Sequence, residues 1–230
     1  MLTFGTQQLN TQTSPISFRN AIADDSMTIA RLFQIASDGV VDYIWQTQQP
    51  QYPGLTPLQI GATRYADPDN VFGYKNCVIA EQNREIVGMM TSFPIAPTAA
   101  ESDTSLESSL AVAAELSGDP DVLAPYNLEA PGTWYICALA VFPEFRGRGI
   151  GSQLLKLAHQ QAAEKGFQEL SLLCFEQNAG ALRLYQRNGF QERDRTAVVP
   201  HPLIHFTGDL LLLTTPTLTS CAPASQSDNP

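Results

Sequence analysis

The chain has 230 residues, 43% hydrophobic and 16% charged, with a formal net charge of −10. That composition supplies a core and excludes disorder throughout. It also excludes general nucleic-acid affinity, which needs basic surface, and no run of about 18 apolar residues is present to span a membrane.

Residues 1–14 are polar and predict a flexible N-terminus. Residues 16–23 predict a first strand. Asp24, Asp25 or Ser26 can cap the helix after it, which carries Ile29, Leu32, Phe33 and Ile35 on one side. Between 38 and 60, prolines and glycines interrupt Tyr43, Trp45 and Tyr52, so helical turns and loops are expected, with a helix around 56–66. Strands over 77–81 and 85–93 flank Gln82-Asn83-Arg84 as a hairpin. Residues 96–130 form an insertion with seven acids and no Lys or Arg; 106–116 has helical spacing.

Residues 134–142 are a continuous apolar run, as in a strand buried on both faces. A glycine-rich turn over 146–151 opens a helix that starts near Ile150, carries its apolar stripe on Ile150, Leu154, Leu157 and Ala158, and ends at Lys165-Gly166. His159 falls off that stripe and is expected in solvent. A strand over 168–175, a helix over 178–188, and strands over 190–199 and 207–213 complete the pattern. The remainder, 215–230, is rich in Pro, Ser and Thr and predicts a disordered tail. Alternating strands and helices in the second half give an α/β or α+β domain over 15–214 with a central mixed sheet.

Cys77, Cys137, Cys174 and Cys221 form no C-x-x-C pair and have no His at zinc spacing, so no metal is expected and a reducing compartment is the simpler inference. The first residues lack the basic and apolar regions of a signal peptide. A cytoplasmic protein is therefore expected. Eight of the 13 basic residues fall within 146–195, which suggests one anion-binding site in an acidic chain.

That site is the turn. Its three alternate glycines allow close backbone approach, and the helix it opens presents unpaired amides at its positive end. Such a place binds phosphate. It lacks the Lys of a nucleotide P-loop and the spacing of the dinucleotide fingerprint.

Arg146-Gly-Arg-Gly-Ile-Gly151 after Ala138-Leu-Ala-Val141 resembles the Arg/Gln-x-x-Gly-x-Gly/Ala signature of the Gcn5-related N-acetyltransferases (GNAT). Asn178 followed by Leu184-Tyr185 and Gly189-Phe190 resembles the second motif of that family. The resemblance is strong over 134–192 and weaker over 16–93. It implies an acyl-CoA N-acyltransferase fold: a mixed, mostly antiparallel sheet with a splayed strand pair, and helices on both faces. It implies acetyl-CoA as cofactor, its diphosphate on Arg146, Gly147, Arg148, Gly149, Ile150, Gly151 and Ser152. The pantetheine arm would lie along Leu139, Ala140 and Val141, with Asn178 also touching the cofactor. Asn178 serves equally as a helix N-cap.

In such enzymes a neutral amine attacks directly, and Tyr185 would give a proton to the leaving thiolate. Its other reading is core packing with Leu182 and Leu184. The strand 134–142 has no carboxylate, so Glu129 or Glu176 stands as base. The acceptor, a small-molecule or peptide amine, would meet Tyr43, Trp45, Cys137, His201 and His205. An aromatic wall beside acids would suit a cationic amine. Dimers are common in the family, which leaves a homodimer open. The alternative function is an acyl-CoA-binding sensor without transfer.

Overall fold

The computed structural model describes residues 14–97 and 122–218. Residues 1–13, the expected helix at 106–116 and residues from 219 onward lie outside the described residues. The strands are β1 (Ser17–Asn20), β2 (Cys77–Gln82), β3 (Glu85–Pro94), β4 (Trp134–Val141), β5 (Glu169–Phe175), β6 (Gln191–Ala197) and β7 (Asp209–Pro216). The helices are α1 (Ser26–Ser37), α2 (Val40–Thr47), α3 (Pro57–Ala66), α4 (Ile150–Glu164) and α5 (Ala179–Arg187).

The strands form one sheet in the order β1-β2-β3-β4-β5-β7-β6. Every pairing is antiparallel except β4 with β5. The sheet is therefore mixed and mostly antiparallel, as the sequence resemblance implies.

α4 packs its stripe on one face. Leu154, Leu155, Ala158 and Ala162 are fully buried against Ile136, Leu172 and Leu213. On the opposite face Ile29 and Leu32 of α1 and Ile60 of α3 cover Ile79, Met89, Ala138 and Ala140. β4 thus contributes apolar side chains to both layers, which is why its sequence does not alternate with polar residues. A third cluster joins Val40, Tyr43, Tyr126, Tyr135, Phe175 and Leu210 where the sheet opens.

Several boundaries differ from the sequence reading. Of the helical turns and loops expected after Gly39, Val40–Thr47 form one regular helix, α2. Gly39 sits at φ +98° and follows Asp38 at φ +51°, so two left-handed residues turn the chain sharply between α1 and α2. β7 continues to Pro216, with Thr215 paired to Leu170, and Thr217 N–H donates to the Gln168 carbonyl. Order therefore extends past residue 215 into the expected tail. His159 is 4% exposed rather than solvated; its Nδ1 accepts from Leu218 N–H at 3.3 Å. The last described residues fold back over it, which no helical periodicity could show.

No helix among the described residues is long and apolar enough to cross a membrane. Among them, no cluster of His, Cys, Asp and Glu is arranged to hold a metal ion.

Two consequences can be measured. A Cβ on Gly61 would lie 2.3 Å from the buried indole of Trp45. Gly61→Ala is expected to cost about 1–3 kcal/mol in urea unfolding through overpacking. Burial lowers the His159 pKa below its ordinary 6.5. The unfolded chain then takes up a proton at higher pH than the folded one. The contribution of neutral His159 is complete above the ordinary value and is lost as pH falls through it toward the depressed one. His159→Gln should flatten that part of the stability–pH curve.

Candidate functional site

β4 and β5 pair only through Trp134–Leu170, Tyr135–Ser171 and Ile136–Leu172. The strands then part. The cause is visible in the pairing of β4 with β3, where Thr91 faces Ala138 but Ser92 faces Ile136. Cys137 is the extra residue of a β-bulge. Bulges bend and twist the strand that carries them. Beyond Cys137 the β5-facing edge of β4 has no strand partner, so extended backbone with donors and acceptors borders a cleft.

The cleft has a volume of about 800 Å³. Its first wall is the loop after β4 and the start of α4. Gly147 and Gly149 both adopt φ +77°, a conformation that disfavours side chains, although a Cβ at Gly147 would meet nothing. Backbone direction, not crowding, is the reason for glycine there. Gly151 differs: a Cβ would lie 3.0 Å from Leu184, so its smallness lets α4 sit close to α5. No side chain caps α4 and no acid occupies its first turn. The amides of Ile150, Gly151 and Ser152 therefore face outward without an intrahelical partner. Arg146 donates from Nε to the Val141 carbonyl at 3.0 Å, which pins its guanidinium over the end of β4. Arg187 adds a second cation to the cleft wall.

The second wall is α5. Asn178 caps it, accepting from Ala181 N–H at 3.1 Å. Tyr185 is 8% exposed and lines the cleft. Burial, with a smaller contribution from Cys174, pushes its phenol well above the ordinary range. Burial likewise raises the thiol of Cys137, and that of Cys174 to about 12. All three groups are protonated at neutral pH.

The expected site residues divide. Leu139, Ala140, Val141, Arg146, Gly147, Gly149, Ile150, Gly151, Ser152, Asn178 and Tyr185 line one continuous cleft, as do Cys137 and Trp45. Trp45, only 1% exposed, is mainly a core residue beneath Gly61. Arg148 does not line the cleft: its guanidinium bonds Gln82 Oε1 at 3.1 Å and the Glu144 carbonyl at 3.0 Å, over the Phe145 ring. Tyr43 packs edge-on against His201, and His201 Nδ1 accepts from Leu203 N–H. His205 is exposed, with Nδ1 3.5 Å from Asp38. Glu129 lies outside the lining, where its charge, after burial and Cys137, helps raise the Tyr135 phenol. Glu176 pairs with Arg195 on the surface. The cleft instead receives Asp38, Arg64 and Tyr126, none of them singled out by the sequence. Asp38-Gly39 carried a signal as a turn dipeptide; Tyr126, inside the insertion, carried none.

Residues 41–190 match the Acetyltransferase (GNAT) family. The chain belongs to that family. An uncharacterized N-acetyltransferase of Methanocaldococcus jannaschii is 37% identical over 68 residues, 30% of this chain and 30% of its own. The chain thus spans about a third of the length of the curated relatives it matches. A crystal structure of an acetyltransferase superposes with a TM-score of 0.60 at 26% identity, covering 88% of this chain and 100% of that one. The structure of yncA from Salmonella typhimurium, solved with its cofactor acetyl-CoA, superposes with a TM-score of 0.53 at 16% identity, covering 92% and 99%. That second likeness concerns the fold alone.

Proposed function

We propose that this GNAT-family chain transfers an acetyl group from acetyl-CoA to a primary amine of a small molecule or peptide by direct attack. The observation that carries this reading is the partnerless edge of β4 running into the uncapped amides of α4. The donor set suits the cofactor. A diphosphate needs converging amides and cations, and finds Ile150 to Ser152 with Arg146 and Arg187. A pantetheine arm carries amides that can pair like a strand, and finds Leu139 to Val141.

Acetyl-CoA, when bound, supplies an activated acyl group and a thiolate leaving group. The residues do the rest. Backbone amides of β4 past the bulge supply hydrogen bonds to a carbonyl oxygen that gains charge. Tyr185 holds a proton on its Oη, kept there by burial, for the sulfur that departs. Cys137 and Cys174 are poor nucleophiles because burial keeps them as thiols. That favours direct attack over an acyl-enzyme. The apolar walls exclude water that would otherwise compete for the acyl group.

Two measurements test the reading. Acetyl-CoA at 100 times its dissociation constant should raise unfolding free energy by about 2.7 kcal/mol; no shift with any acyl-CoA ends the proposal. Tyr185→Phe should lower kcat by about a hundred- to ten-thousand-fold while leaving coenzyme A affinity in place. An unchanged kcat removes Tyr185 from the chemistry. Tight binding with no thiol release from any amine would instead make the protein an acyl-CoA sensor.

A further inference from the structure

Asp38 is the one carboxylate among the described residues that line the cleft, and no histidine joins it there. It belongs to the wall made by the α1–α2 turn and the segment before β7, elements distinct from α4 and α5. Its position is built. Its own φ is left-handed at +51°, its Oδ2 accepts Phe206 N–H at 2.8 Å, and its carbonyl accepts His205 N–H at 3.4 Å. His205 Nδ1 lies 3.5 Å from Oδ1. A carboxylate offers about four acceptor sites, so these contacts leave capacity for a ligand. The side chain remains 25% exposed.

Tyr126 supplies the second observation. It lines the same cleft, is 8% exposed, and its hydroxyl makes no hydrogen bond to any described residue. Buried hydroxyls in folded proteins are normally paired, and an unpaired one at a cleft calls for an explanation. Ring contacts link it to Asp38: Tyr126 meets Phe175 at 6.2 Å, Phe175 meets Phe206 at 5.2 Å, and Phe206 N–H bonds the carboxylate. After burial, the Asp38 charge also raises the Tyr126 phenol. Carboxylate and phenol are therefore neighbours in the lining, whereas Tyr185 stands on α5. The lining is otherwise largely apolar and aromatic, with Tyr135, Phe175, Phe206 and Leu210, and includes Arg64, whose guanidinium donates to Gln48 Oε1.

We propose that Asp38 and Tyr126 select the acceptor by its far end. The acceptor is then a primary amine on an apolar or aromatic body that carries a second hydrogen-bond donor, hydroxyl or ammonium, seated between these two side chains. A long polyamine fits poorly, because one carboxylate cannot neutralise several ammonium groups in apolar surroundings. This assignment rests on the acetyl-transfer reading and narrows its acceptor class.

The test compares matched amines: tyramine against phenethylamine, and cadaverine against n-pentylamine. With the wild-type protein and acetyl-CoA, the donor-bearing member of each pair should show kcat/KM at least about 100-fold higher, because a site built to bond a donor rejects the analogue without one. In Asp38→Asn and Tyr126→Phe that ratio should fall toward one, mainly through a rise in KM for the donor-bearing amine. Asn tolerates left-handed backbone and keeps an acceptor for Phe206 N–H, so the first variant removes charge with little else. A wild-type ratio near one, an unchanged ratio in both variants, equal loss for both members of a pair, or turnover of none of the four amines overturns the proposal. Coenzyme A titration by calorimetry in the same preparations separates the two readings. Intact binding with no discrimination sinks only the acceptor assignment, and absent binding sinks the transfer reading beneath it.

Discussion

Three residue pairs hold β4 to β5, and the separation of the strands after Ile136 shapes the whole cleft. An extra residue at Cys137 bends β4, so the two strands cannot stay in register for hydrogen bonding. Backbone groups in the middle of a sheet are normally paired, and leaving a row of them open costs free energy. The fold bears that cost at one place, where a ligand with its own amides can complete the ladder. The rest of the sheet compensates. β4 keeps a full antiparallel partner in β3, and β5 keeps one in β7 over seven residue pairs.

The cleft also reverses the electrostatics of the chain. The protein carries a net charge of −10, yet one end of the opening gathers Arg146, Arg187 and the positive terminus of α4 without a single first-turn acid. A local cationic site in an acidic surface favours one polyanionic ligand and repels nonspecific ones. Arg64, the third cation of the described lining, is bonded to Gln48. Burial keeps the phenol of Tyr185 and the thiols of Cys137 and Cys174 protonated. The only carboxylate in the described lining is Asp38, in the α1–α2 turn.

The α1–α2 turn links core and cleft. Gly39 approaches the Leu203 carbonyl so closely that a Cβ would fall 1.6 Å from its oxygen. Together with the Asp38 contacts to His205 and Phe206, this seats the segment before β7 against the helical layer. Tyr43 and His201, expected to touch an acceptor, pack together within that seam. Their chemistry is spent on holding the wall in place.

Local patterns determined much of this protein. The apolar run of β4 announces a strand covered on both faces. The glycine spacing of 147–151 announces left-handed backbone before a helix, and Asn178 announces a cap three residues ahead of Ala181. Each depends on neighbours within a few positions, which is the range over which sequence carries physical information directly. What tertiary structure decided has the opposite character. A bulge at Cys137 has no residue signature, because it arises from the offset between two strands forty residues apart. Asp38, Tyr126 and Phe206 share one wall only because α1, the insertion and the approach to β7 converge there. Arg148 keeps its position in the turn but loses its guanidinium to Gln82, and His159 is covered by Leu218. Such assignments depend on which distant surfaces meet, and no periodicity along the chain encodes that meeting.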